Sequence, residues 1–188
     1  MLSNYIKWNC MNIKIIISTF VLLTLLMSCK SNDVKLIPLY TLEAKEINGI
    51  KEYQRGNHKQ AFDLLKEPAS FGYKGSQYTL GFMFLKGQHV QQSTLLGMGW
   101  LGVAIEANVK EWQEQYNTFY SAASTTQKKQ IDKIVQKYIE QYGLKSQHVT
   151  CTKEINTSKR LDVKCHKYED ASIVYPVETV EQYMPNRP

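Results

Sequence analysis

A chain of 188 residues is long enough for one ordinary domain or two small ones. Its 43% hydrophobic content can fill a packed core, and its 21% charged content excludes wholesale disorder. The net charge of +6 is mild and scattered, with no basic stripe interleaved with aromatics, which excludes a nucleic-acid partner.

The first segment is an address. Ile15–Met27 is an apolar run of thirteen residues behind Lys14, broken only by Ser18, Thr19 and Thr24. A membrane-spanning helix needs about 20 apolar residues, so this run suits a signal-peptide core instead. It ends at Leu26-Met27-Ser28-Cys29, which resembles the bacterial lipobox. That resemblance implies lipidation of Cys29, cleavage before it and a durable two- or three-chain anchor. One chain alone holds only marginally, at about 0.8 kcal/mol per buried methylene. Lys30 behind the cysteine favours the outer membrane, facing the periplasm, by resemblance to enterobacterial sorting. Met11 gives a more ordinary signal peptide than Met1, so residues 1–10 read as an over-extended start. Ordinary secretion or an uncleaved anchor are the competing readings. Losing residues 1–28 removes Lys7 and Lys14 and leaves 21 basic against 17 acidic residues. Residues 29–38 form a short tether.

A helical domain is expected over residues 39–143. Leu39–Arg55 is helical, with Leu42, Ile47, Ile50 and Tyr53 on one side. Gly56-Asn57 breaks it, and a second helix carries Ala61, Leu64, Leu65 and Ala69, with Pro68 near its end. Ser76–Val90 predicts a third helix, with Tyr78, Gly81, Phe82 and Leu85 along one stripe, widened by Leu80, Met83 and Phe84. Gly81 costs about 1 kcal/mol against alanine there, so it predicts a close helix neighbour. Gly87 ends the helix. A fourth runs to about Ala107, with Gly97, Trp100, Leu101 and Ala104 on one face. Gly97, Gly99 and Gly102 make it weak by propensity, so tertiary packing must hold it.

Two helix pairs with glycine loops at Gly56 and Gly87 suggest a repeat. The chain here resembles the Sel-one-like repeats, variable-length relatives of the tetratricopeptide repeats. Leu80-Gly81, Met83-Phe84, Gly87, Val90, Trp100, Ala104 and Glu106 match that family's pattern. Gly49, Tyr53, Gly56, Ala61, Pro68-Ala69 and Gly72 match its opening half-repeat. His89 replaces the loop's second glycine, Ser93 an aspartate, Gly97 and Ile105 alanines, and Asn108 the final glycine. The resemblance covers about residues 47–108. It implies a mainly α fold, a short α-solenoid of antiparallel helix pairs, with Leu80, Gly81, Gly87, Trp100 and Ala104 in repeat packing.

Val109, Trp112, Tyr116, Phe119 and Ala123 continue a helical stripe. Ser124 and Gln127 predict a capping box opening a last helix faced by Ile131, Ile134, Val135, Tyr138, Ile139 and Tyr142, stopped at Gly143. This longer pair is expected to cap the stack.

After Gly143 the period changes to two. Residues 144–188 are expected to hold a β-hairpin and tail, with strands HVTCTKEI and RLDVKCHKY, a turn at Asn156–Lys159 and an edge strand in SIVYPV. A turn centred on Ser158 sets Cys151 opposite Cys165, at the spacing of about 4.5–5.5 Å between β-carbons that a disulfide needs only to tighten. An exported chain meets an oxidising compartment, where such a bond persists. Zinc held by His148, Cys151, Cys165 and His166 is the alternative, but Cys165 and His166 point to opposite strand faces.

No catalytic set emerges. His58 and His89 lie at glycine loops without a nucleophile at telling spacing, and GMGWLG lies inside a helical pattern with no strand before it. No cofactor is implied. The reading is a non-enzymatic, lipid-anchored envelope scaffold that binds an unknown envelope protein through its helices and the membrane through Cys29. A cell-wall hydrolase, a hydrolase inhibitor or a purely structural lipoprotein are the alternatives.

Overall fold

The computed structural model describes residues 39–155, 161–167 and 177. Cys29, the signal segment and tether, the Asn156–Lys159 turn and Ser172–Pro176 of the expected edge strand lie outside the described residues. Within them the protein is mainly helical. Six α-helices are followed by a two-stranded antiparallel sheet.

Helices α1 (Leu39–Gln54) and α2 (His58–Ser70) form the first pair, turned at Gly56 with φ +84°. Ala61, Leu65 and Ala69 make the fully buried stripe of α2. On α1, Leu42 and Gly49 face inward, whereas Ile47 is 54% exposed. The apolar stripe expected of α1 is therefore split, and part of it faces solvent.

Helix α3 (Lys74–Lys86) starts two residues before the expected Ser76 and ends at Gly87, which takes the left-handed conformation at φ +67°. The Gln88 N–H then donates to the Met83 carbonyl, and the Ser93 N–H to that of Phe84, so Val90 lies in the returning loop. Helix α4 (Thr94–Ala104) starts where Ser93 Oγ accepts from the Leu96 N–H, and it continues as a 3₁₀ turn, Ile105–Ala107. Every residue from Leu96 to Ala104 is buried.

The same glycine contact recurs in both pairs. A Cβ on Gly49 of α1 would lie 2.6 Å from Leu65 Cγ of α2, and one on Gly81 of α3 would lie 2.7 Å from Leu101 Cγ of α4. Only a residue without a side chain lets each leucine seat there. A Cβ on Gly97 would sit 2.9 Å from the Gly81 carbonyl oxygen, so α3 and α4 cross backbone to backbone. On the other side of α4, Gly99 meets Ile134 and Tyr138, and Gly102 meets Val135. The poor propensity of this helix is thus offset by close contact on two sides.

Helix α5 (Lys110–Ala122) buries only Tyr116, whereas α6 (Thr125–Tyr142) buries Ile131, Ile134, Tyr138 and Tyr142. The Ser124–Gln127 capping box opens α6. Helix α6 packs chiefly on α4, and α5 lies more lightly on α4; α5 meets α6 where Tyr120 Oη donates to Asp132 Oδ1 at 2.8 Å and where Tyr116 and Tyr120 share a cluster with Ile131. Trp100 of α4 sits in the larger core cluster, its ring 4.8 Å from both Tyr138 and Tyr142.

A buried polar hub ties the ends of these helices together. Lys74, 1% exposed, donates to Glu106 Oε2 (2.8 Å), Gln77 Oε1 (3.0 Å) and the Val103 carbonyl (3.1 Å) at the end of α4. Gln77 Nε2 donates to the carbonyls of Ala69 and Tyr142, both at 2.9 Å, in the last turns of α2 and α6. Helix C-termini leave carbonyls without intrahelical partners. Here two side chains from the first turn of α3 satisfy those of three helices. The N-terminus of α3 is capped from a distance, since Tyr73 gives no side-chain cap and Glu46 of α1 accepts from the Ser76 N–H at 2.8 Å.

Strands β1 (Val149–Ile155) and β2 (Leu161–Lys167) pair with Cys151 opposite Cys165, their sulfurs at the bonding distance of 2.06 Å. The inward face of the hairpin packs at Gly72, where a Cβ would lie 2.9 Å from Val149 Cγ2, and Lys167 Nζ sits 5.6 Å over the Phe71 ring. With a sequence separation of 14 residues, the disulfide contributes about 3 kcal/mol in the chain-entropy model. An isolated two-stranded hairpin is marginal. Reduction should therefore strip hydrogen-exchange protection from the Val149–Ile155 amides while leaving the helical circular dichroism intact. Loss of both signals together would show that the hairpin is integral to the helical core.

Candidate functional site

Helices α1 and α5 carry exposed apolar side chains. Among the described residues, Tyr40 and Ile47 on α1 and Phe119 on α5 are three of the four large hydrophobic side chains that stand exposed. Half-buried aromatics of α3 reach across to α5. Tyr78 stacks on Trp112 of α5 at 4.4 Å and 12°, and Phe82 meets Tyr78 at 5.0 Å and Phe119 at 6.1 Å. Lys86 Nζ lies 5.5 Å from the Phe82 ring. Burial pushes the Tyr78 hydroxyl above its usual pKa, with Tyr53 and Glu111 adding to the shift. A row of rings, polar at some edges and apolar on the faces, is well suited to protein contact.

At one end this face deepens into a groove of about 460 Å³. Glu43, Glu46, Ile47 and Ile50 of α1 form one wall, and β2 residues from Val163 to His166 form the other. Tyr73, Gly75 and Trp112 lie between them. Burial drives the Glu46 carboxyl above its usual pKa, against the hydrogen bonds from Ser76, and neighbouring Glu43 pushes in the same direction. Burial, then Glu43 and Glu46, hold the Tyr73 hydroxyl far above its ordinary value. The groove therefore sets two carboxylates beside apolar surface, with Lys74, Lys164 and His166 also in its lining.

The repeat-packing residues singled out in the sequence lie elsewhere, whereas Cys165 and His166 are in the groove lining. Leu80, Trp100 and Ala104 are fully buried, Gly81 lies at the α3–α4 crossing, and Gly87 is the exposed cap of α3. All five serve packing and none lines the groove. The Cys151 and Cys165 sulfurs are bonded to each other, and His166 Nε2 lies 3.7 Å from Glu154. Among the described residues no group of three or more His, Cys, Asp or Glu could hold a metal ion. The groove residues Glu43, Glu46, Tyr73 and Trp112 gave no sequence signal as a set, because they come from separate elements. The one available clue was Ile47, an aliphatic residue among Glu43, Glu46 and Lys51.

Comparison of the chain with protein-family models, with curated proteins and with solved structures gave no match.

Proposed function

We propose that this protein is a lipid-anchored cell-envelope scaffold of the Sel-one-like repeat kind, which binds another envelope protein on the face made by α1, α3 and α5. The observation that carries the reading is the exposure of Tyr40 and Ile47 on α1 and of Phe119 on α5, with the Tyr78–Trp112 stack joining α3 to α5. A monomer gains nothing by exposing such a patch unless something covers it.

Two departures from the family pattern support the repeat reading. His89 stands at the loop's second glycine and Asn108 at the final one, and both adopt positive φ, +66° and +57°. The backbone keeps the conformation that glycine allows, with His and Asn, which tolerate it better than most residues, in its place. The recurring Gly49–Leu65 and Gly81–Leu101 contacts point the same way. The short solenoid, the Cys29 anchor and the periplasm-facing location belong to this proposal.

A photo-crosslinking residue placed at Ile47 or Phe119 in cells should yield a discrete protein adduct, and one at Lys129 on α6 should not. Equal adducts at all three positions would defeat the surface assignment. No adduct together with turnover of muropeptides would favour a hydrolase. A Cys29→Ala variant should lose its lipid label; a retained label refutes the anchor.

A further inference from the structure

The two carboxylates in the groove make no ion pair among the described residues, although Lys74, Lys164 and His166 share its lining. Glu43 and Glu46 are three residues apart on α1, where like charges repel. The nearby cations are engaged elsewhere. Lys45 pairs with Glu67, and of the basic residues in the lining Lys74 pairs with Glu106 while Lys164 and His166 face Glu154. The Oε1 of Glu46 accepts from the Ser76 N–H and Oγ–H, which are neutral donors. Beside these charges lie Ile47, more than half exposed, with Ile50 and the Trp112 ring.

We propose that this groove takes a lysine or arginine side chain from an extended basic segment of the protein partner, its methylene stem on Ile47, Ile50 and Trp112 and its charged head at Glu43 and Glu46. The chemistry matches at both ends. A long basic side chain buries its stem on apolar surface while its head stays polar. An indole face attracts the cation, and a carboxylate gives it a charge-assisted hydrogen bond. The inference rests on the scaffold reading and specifies its partner.

The test uses the full chain in non-ionic detergent and a fluorescein-labelled hexapeptide of alternating lysine and leucine, with binding followed by anisotropy. The peptide should bind, more weakly as salt is raised. Glu43→Lys should weaken binding by at least about tenfold, since it reverses a charge at the contact. Ile47→Ser should weaken it by about threefold or more through the lost apolar contact. Glu140→Lys, on exposed α6 outside the groove, should leave it unchanged. The inference falls if the hexapeptide with glutamate in place of lysine binds equally, if Glu43→Lys has no effect, or if no peptide binds. It also falls if spermidine displaces the peptide at equal charge, since the apolar half of the site would then count for nothing. A crosslink at Ile47 that persists despite any of these failures leaves the scaffold reading standing. Failure of the crosslink as well removes both.

Discussion

Replacing Glu106 with alanine should cost about 3–5 kcal/mol of stability, because it leaves the Lys74 ammonium buried without its counter-charge. Lys74 Nζ is held at 2.8 Å by Glu106 Oε2, which also accepts from the Leu144 N–H at 3.0 Å. The variant thus strands a buried cation and frees the chain leaving α6. Lys74→Met should cost less, about 1–3 kcal/mol, because it leaves neutral acceptors on Val103 and Gln77 unpaired rather than a charge. The double variant should be no worse than Glu106→Ala alone, since its worst feature, the stranded ammonium, is gone. Urea unfolding of the three variants measures this. Strict additivity of the two losses would show that the pair is not coupled.

The same lysine gives stability an unusual pH dependence. Burial pulls the Lys74 ammonium down from 10.5 to about 8, outweighing the attraction of Glu106. The unfolded chain keeps this proton up to pH 10.5, whereas the folded chain releases it from about pH 8. The unfolded state therefore holds more protons through that window, and stability should rise with pH across it, by up to about 3 kcal/mol. Above pH 10 the tyrosines oppose the rise. Burial holds the Tyr116 hydroxyl up at about 12 and that of Tyr73 higher still. The folded state keeps those protons after the unfolded state has lost them, so stability falls again. In Lys74→Met the rise between pH 8 and 10 should vanish. A rise that survives in that variant assigns it to another group.

Trp100→Ala should cost about 3–5 kcal/mol through the cavity left between α4 and α6. The indole is fully buried and packs against the rings of Tyr138 and Tyr142, which also contact each other at 5.4 Å. Trp100→Phe should cost under about 1.5 kcal/mol, as apolar swaps of similar shape do. Phe leaves a smaller void than Ala, and the buried Nε1 of Trp100 has no hydrogen-bond partner among the described residues. Losing it forfeits no bond. Midpoints of urea unfolding at constant slope separate the two variants. A Phe variant as unstable as the Ala variant would mean that an ordered water accepts from the indole.

What the sequence by itself determined is local. The three–four spacing of α2 and α6, the Ser124–Gln127 box and the stop at Gly87 each rest on interactions within one or two turns. The facing of Cys151 and Cys165 follows from counting outward from Ser158, since strand side chains alternate strictly. Gly81 announced a close neighbour but not which one.

The identity of each neighbour was decided only by the tertiary structure. Periodicity marks an apolar face without saying what covers it, so the packing of α6 on α4, with α5 set aside, had no signature along the chain. Buried polar groups are harder still, because Lys74, Gln77 and Glu46 have the composition of an ordinary solvated surface. Their partners lie 32, 65 and 30 residues away, at Glu106, Tyr142 and Ser76. The groove was hidden for the same reason. Glu43, Trp112 and Val163 belong to separate elements, and only folding brings two carboxylates and an apolar wall together, beside lysines whose ion pairs are made to Glu106 and Glu154.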